Sequence, residues 1–142
     1  MAEDYPQLDI DVQVCLPLCQ AARVVTRRYT DLLSRVGLTY PQYVTMLALW
    51  GRRQTTVGDL GARLDLDSAT MTPVLKRLEA AGLVARKRDP DDERRVLVEP
   101  TRRGWALRAK VAQVPWELGR SLPLDPAEWV QLRGLLTKLT GS

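Results

Sequence analysis

The chain contains no histidine and only two cysteines among its 142 residues. The first absence removes the commonest general base and the commonest metal ligand together. Two cysteines, Cys15 and Cys19, cannot complete a tetrahedral zinc site of the Cys and His type. No glycine-rich loop able to cradle a phosphate is present, and no apolar run approaches the ~20 residues needed to span a bilayer. The first residues, Met1 to Asp11, are acidic and unlike a secretory signal. These absences disfavour most enzyme classes. They lead to the expectation of a soluble, cytoplasmic protein with no cofactor and no membrane partner.

The length matches one ordinary domain, which buries about two-thirds of its unfolded surface without staples. A composition of 45% hydrophobic and 27% charged residues is that of a globular protein. The net charge of +4 is unevenly spread. Residues 52–110 hold 14 Lys or Arg against 9 Asp or Glu, and the rest of the chain holds 7 against 8. Arginine outnumbers lysine 17 to 4, which favours bidentate contacts to phosphate or carboxylate, although a GC-rich genome gives the same bias. The location of the excess is the stronger signal. A basic middle points to a nucleic-acid partner.

Apolar residues at Leu18, Ala22, Val25, Leu32, Leu33 and Val36 keep helical spacing, predicting a helix over 14–36 closed by Gly37. Thr39, Pro41 and Gln42 form a capping box with a first-turn proline. The helix they open runs through Tyr43, Met46, Leu47 and Trp50 and is expected to stop at Gly51. Thr56 and Asp59 open a short helix over 56–64, and Asp67 or Ser68 caps another that continues to Ala81. After Gly82 the period shortens. Residues 83–88 and 94–99 read as short strands around a turn-rich linker, Asp89 to Glu93, giving a hairpin with a charged tip. Thr101 caps a helix over about 102–120 that Pro115 must kink or interrupt. Asp125, Pro126 and Glu128 open the last helix, which carries Trp129, Leu132, Leu135, Leu136 and Leu139.

Two short helices followed by a hairpin make a winged helix-turn-helix, in which the first helix braces and the second enters a major groove. On the second helix Met71, Val74, Leu75 and Leu78 share the core face. Ser68, Thr70, Thr72, Lys76 and Arg77 lie around the other, where hydroxyls suit base edges and cations suit the backbone. Pro73 predicts a locally irregular first turn. The hairpin adds Arg86, Lys87, Arg88, Arg94 and Arg95, which can reach a minor groove beside the helix. A solvated basic ribbon on an unrelated helical protein is the plainer reading, and it leaves the order of these parts unexplained. The expected fold is mainly α with a small β-hairpin wing, and the expected partner is double-stranded DNA.

The run Asp67-Ser68-Ala69-Thr70-Met71-Thr72-Pro73-Val74-Leu75-Lys76-Arg77-Leu78-Glu79, then Gly82-Leu83-Val84 and Asp92-Glu93-Arg94, resembles the multiple antibiotic resistance regulator (MarR) family. The resemblance covers nearly the whole chain. It implies an obligate homodimer on a pseudo-palindromic operator, usually as a repressor of transcription. It also implies that Asp92 holds Arg94 in an ion pair so that Arg94 can enter the minor groove. On this reading residues 1–38 form a dimerisation and sensor helix, 39–100 the DNA-binding lobe, and 101–142 the C-terminal dimerisation helices. Trp50, Trp105, Trp116 and Trp129 lie on apolar stripes and read as core or dimer packing.

Pro17 is acceptable only in a first helical turn, so Cys15 sits at the positive end of a helix dipole, which favours the thiolate. The plain alternative is a pair of small buried hydrophobes. Cys15 with Leu18 and Ala21 after it, plus Tyr29 and Tyr40, is similar to the organic hydroperoxide resistance regulators (OhrR) within the family. That similarity implies oxidation of Cys15 by organic peroxides, with the two tyrosines hydrogen-bonding it across the dimer and operator DNA released on oxidation. Tyr43 either lines the same pocket or packs.

Position 19 departs from the pattern, since many of those regulators have an aromatic residue there. Two-cysteine members generally keep the resolving cysteine in a distant helix, and this chain has no cysteine beyond Cys19. Helical spacing sets the Cβ atoms of Cys15 and Cys19 about 5–6 Å apart, against roughly 3.5–4.5 Å in a disulfide. A bond between them requires unwinding of the first turns, which Pro17 eases. In the alternative, a low-molecular-weight thiol caps Cys15 and Cys19 only packs. Two rival functions stand beside the redox repressor: a repressor released by a small phenolic or hydrophobic ligand, and a thiol peroxidase. The peroxidase leaves the basic wing unexplained, so no enzymatic activity is expected.

Overall fold

A computed structural model of the chain describes residues 4–142, so residues 1–3 of the expected N-terminal unit lie outside the described part. Two short 3-10 turns, Pro6–Leu8 and Ile10–Val12, precede a long helix α1, Cys15–Ser34. Helix α2, Tyr40–Arg52, starts at the expected capping box, with the Gln42 N–H donating to Thr39 Oγ1 at 3.4 Å and the Thr39 N–H to Gln42 Oε1 at 2.9 Å. It supplies the centre of the core through Tyr43, Met46 and Leu49, all essentially inaccessible to solvent.

The expected stop at Gly51 is corrected: α2 runs two residues further and ends where Arg53 takes a φ of 66°. Glycine permits a helix end without forcing one, and here the ladder continues, with the Arg53 N–H reaching the Leu49 carbonyl at 2.8 Å. Trp50 anchors this last turn from afar, donating from Nε1 to the Gly104 carbonyl at 3.1 Å.

Strand β1, Thr55–Thr56, leads into α3, Val57–Leu64, and then α4, Ser68–Ala80. Strands β2, Val84–Arg88, and β3, Val96–Pro100, follow, so the second strand begins later than the 94–99 expected and Arg94 and Arg95 belong to the hairpin tip. The sheet is antiparallel in the order β1-β3-β2, with Thr55 opposite Val98 and Val84 opposite Pro100. The two-residue β1 is absent from the sequence reading. It turns the hairpin into a three-stranded sheet rooted on the helical core.

The helix expected over 102–120 is two: α5, Arg102–Val111, and α6, Val114–Ser121, with Pro115 in the first turn of the second. The last helix, α7, Pro126–Thr140, opens on the expected Asp125 capping box. The architecture is mainly α with a small sheet, a winged helix-turn-helix flanked by terminal helices. Core residues concentrate in α2, α4 and the sheet, whereas α1 buries only Leu33 and α7 buries nothing in the single chain. Among the described residues no helix is long and apolar enough to cross a membrane.

Candidate nucleic-acid interface and thiol site

The helix-turn-helix depends on a close approach between backbones. Asp65 ends α3 in the left-handed region, φ 53° and ψ 45°, and the Leu66 N–H donates to the Gly61 carbonyl at 2.8 Å. A Cβ on Gly61 would lie 2.6 Å from the Leu66 carbonyl oxygen, so only glycine lets α3 turn this sharply into α4. Asp67, not Ser68, caps α4: its Oδ1 accepts from the Thr70 N–H at 2.8 Å. Hydrogen bonds from the Thr70 backbone and side chain hold the Asp67 carboxyl below its usual value.

Helix α4 then divides as its apolar period requires. Met71, Val74, Leu75 and Leu78 are buried. Ser68, Thr70, Lys76 and Arg77 are exposed, and Thr72 is half-buried at the edge. Pro73 stands inside an unbroken helix and is exposed, so its missing N–H is tolerated without a visible break.

The wing sorts its cations by partner. Arg94 projects far from the tip, with 92% of its side chain exposed; its Nε lies 3.4 Å from Asp92 Oδ1, and its backbone N–H donates to the same oxygen at 3.1 Å. Arg88 donates to the Glu93 carbonyl at 2.7 Å, which braces the tip from within. Lys87 pairs with Glu99 at 3.6 Å and Arg95 with Asp89 at 3.9 Å. Arg86 points elsewhere, into an ion pair with Glu79 of α4. Sequence reading missed Glu79 as a partner, because seven residues and a tight turn separate it from Arg86.

Cys15 is the first residue of α1, at the positive end of the helix dipole, and both Cys15 and Cys19 are exposed in the single chain. Tyr29 lies fourteen residues further along the helix, roughly 21 Å at about 1.5 Å per residue. The thiol and the tyrosines therefore do not meet within one chain.

The tyrosines do meet one another. The Tyr29 ring centroid lies 5.2 Å from that of Tyr40 and 5.6 Å from that of Tyr43, both tilted. Burial pushes the Tyr29 phenol up to about 12, with Tyr43 and Tyr40 adding to the effect; burial also raises Tyr43, helped by Tyr40. Both remain hydrogen-bond donors at neutral pH. Beside this cluster, Tyr43, Leu47, Trp50, Arg108, Val111 and Pro115 line a cleft of about 530 Å³ between α2 and α5.

Comparison with known proteins bears on both parts. The MarR family model matches residues 38–96, which contain the helix-turn-helix and most of the wing. The organic hydroperoxide resistance transcriptional regulator of Bacillus subtilis is 40% identical over 115 residues, 81% of this chain and 78% of that protein. The structure of reduced AbfR bound to DNA superposes with a TM-score of 0.83 at 30% identity, covering 96% of this chain and 93% of that one. AbfR is also solved overoxidized on DNA and in a disulfide form. BpsR of Bordetella bronchiseptica, whose DNA binding is regulated by 6-hydroxynicotinic acid, superposes with a TM-score of 0.85 at 29% identity over 99% of both chains. With its helix-turn-helix, its wing and relatives that are transcriptional regulators, this chain belongs to the MarR family.

Proposed function

We propose that the protein is a homodimeric, cytoplasmic repressor that senses organic hydroperoxides through Cys15 and leaves its operator when oxidised. The observation that carries this reading is an exposed thiol on the first residue of α1, with three packed tyrosine rings at that helix's other end. Leu16, Leu18 and Val24 of α1 and Val130, Leu135 and Leu139 of α7 are exposed apolar residues that a second copy can cover. An antiparallel second copy then sets each Cys15 beside the other chain's Tyr29 and Tyr40. Residues 1–38 and 101–142 act as the dimerising and sensing parts, and 39–100 as the reader.

The chemistry balances without a cofactor. The Cys15 thiolate attacks the distal oxygen of the hydroperoxide, an S–O bond forms as the O–O bond breaks, and the organic alkoxide leaves as alcohol after taking a proton. The sulfenic acid condenses with a second thiol to a disulfide and water. That thiol is either Cys19, after the first turn of α1 unwinds, or a low-molecular-weight thiol. Losing the tyrosine contacts lets the helices around Tyr29 and Tyr40 shift and changes the spacing of the two recognition helices, which must match about one DNA turn. Ser68, Thr70, Thr72, Lys76, Arg77 and Arg94 supply the DNA contacts, supported by Arg88, Asp92 and Arg95.

Operator binding before and after cumene hydroperoxide, for wild type and Cys15→Ser, tests the reading. Wild type releases DNA and Cys15→Ser stays bound; equal behaviour of the two overturns it. The cleft between α2 and α5 favours a second reading, release by a small phenolic or hydrophobic ligand. Release by such a ligand, equal in both proteins and without a peroxide effect, replaces the first reading by the second.

A further inference from the structure

Glu79 is an acid on the last turn of the recognition helix, where repulsion from the DNA backbone would ordinarily disfavour it. Its Oε2 accepts a hydrogen bond from Arg86 Nε at 2.8 Å, and Arg86 Nη2 of the same guanidinium lies 2.7 Å from that oxygen as an ion pair. Arg86 is placed there by strand period. In β2, Val84 and Arg86 are the buried and half-buried residues, while Ala85 and Lys87 face out. The arginine therefore leaves the sheet on the side that carries buried Val84, toward the α4 end that it follows in the chain. Its side chain is 25% exposed, against 57% for neighbouring Lys87 and 92% for Arg94. A planar guanidinium that holds one oxygen with a directed Nε hydrogen bond and a close Nη2 contact fixes direction as well as distance, which a single ammonium cannot do.

We propose that Glu79 and Arg86 form a strut that sets the angle of the wing to the recognition helix, and that Arg86 is a positioning residue, not a phosphate contact. Apart from Val84 and Val98, which root the wing in the core, the wing joins the reader through a narrow sheet whose outer strand β1 has two residues. The recognition helix and Arg94 must enter adjacent grooves together, so an error in the wing angle weakens specific binding more than non-specific binding. The inference rests on DNA binding alone and is independent of the trigger that ends it.

The two roles predict opposite signs. Binding is measured by fluorescence anisotropy over a range of salt, on the tightest duplex that wild type selects from a random-sequence pool and on poly(dA-dT). As a strut, Glu79→Gln and Arg86→Ala each weaken the selected duplex by about five- to tenfold, and the double variant is no weaker than either single. Arg86→Lys weakens it too, because the charge remains but the planar guanidinium contact is lost. The slope of log Kd against log salt stays as in wild type, and poly(dA-dT) binding changes less. As a phosphate contact, Arg86→Ala lowers that slope by about one, Arg86→Lys binds as wild type, and Glu79→Gln tightens binding. Any of those three results overturns the proposal. Both positions are at the surface, and unchanged far-UV dichroism and Tm in Arg86→Lys separate misfolding from loss of the strut.

Discussion

Tyr29 shows what one residue's surroundings do to its chemistry. In the unfolded chain its phenol ionises at the ordinary value near 10, and in the folded protein burial, then Tyr43 and Tyr40, move that to about 12. The folded value is the higher one, so between these pH values the unfolded chain binds fewer protons. Stability is unaffected by this group below pH 10 and falls as pH rises from there to about 12. Following tyrosinate absorbance in the native protein, we expect a late-ionising step that shrinks in Tyr29→Phe. Simultaneous ionisation of all four tyrosines near 10 would refute the buried cluster. The residue types of this cluster were legible in the sequence, but its membership was not. Tyr43 could equally have lined a pocket or packed, and only the tilt of α1 against α2 brings three rings together. The ion pair of Arg86 was hidden for the same reason, since charge counts reveal a cation and not its partner.

Elements were legible where their signals are local. The Thr39, Thr56, Thr101 and Asp125 caps each depend on residues three apart, and each opens the helix that the sequence predicts. Strand β1 depends on pairing with β3 more than forty residues away, and nothing in Thr55 and Thr56 announces it. The turn between α3 and α4 allows a direct check. Gly61→Ala puts a methyl 2.6 Å from the Leu66 carbonyl oxygen, a backbone atom that cannot swing aside. We expect a loss of about 1–3 kcal/mol by urea denaturation and weaker DNA binding, because α3 and α4 are forced apart. Gly58→Ala in the same helix meets nothing closer than Thr56 Oγ1 at 4.0 Å. It gains up to about 1 kcal/mol from the lower entropy of alanine. Equal and small effects at both positions would show that the turn is not tight.

For the whole molecule, the division between a basic reader and thiol-bearing outer helices was visible in the charge distribution, but the joint between them was not. The Arg35 guanidinium meets Glu117 at 3.0 Å, tying the end of α1 to α6, and α1 packs on α6 and α2. In the proposed dimer, a change at Cys15 reaches the reader through the tyrosine cluster where α1 packs on α2. The outer helices are incomplete alone: Trp116 is 69% exposed, and α7 presents Val130, Leu135 and Leu139 to solvent. Leu135 and Leu139, one helical turn apart, form an exposed apolar stripe that suits an interface, and a stable interface needs roughly 1,000 Å² or more in total. Two charges in that stripe leave the single-chain core untouched, because α7 buries no residue within it. For Leu135→Asp with Leu139→Asp we expect monomers in sedimentation velocity, with near wild-type helicity by dichroism. Operator affinity then falls by at least about a hundredfold, since one reader meets only one half-site. A variant that stays dimeric places the interface elsewhere than on α7. A monomer that binds the full operator as tightly as wild type does would show instead that paired recognition helices are not needed.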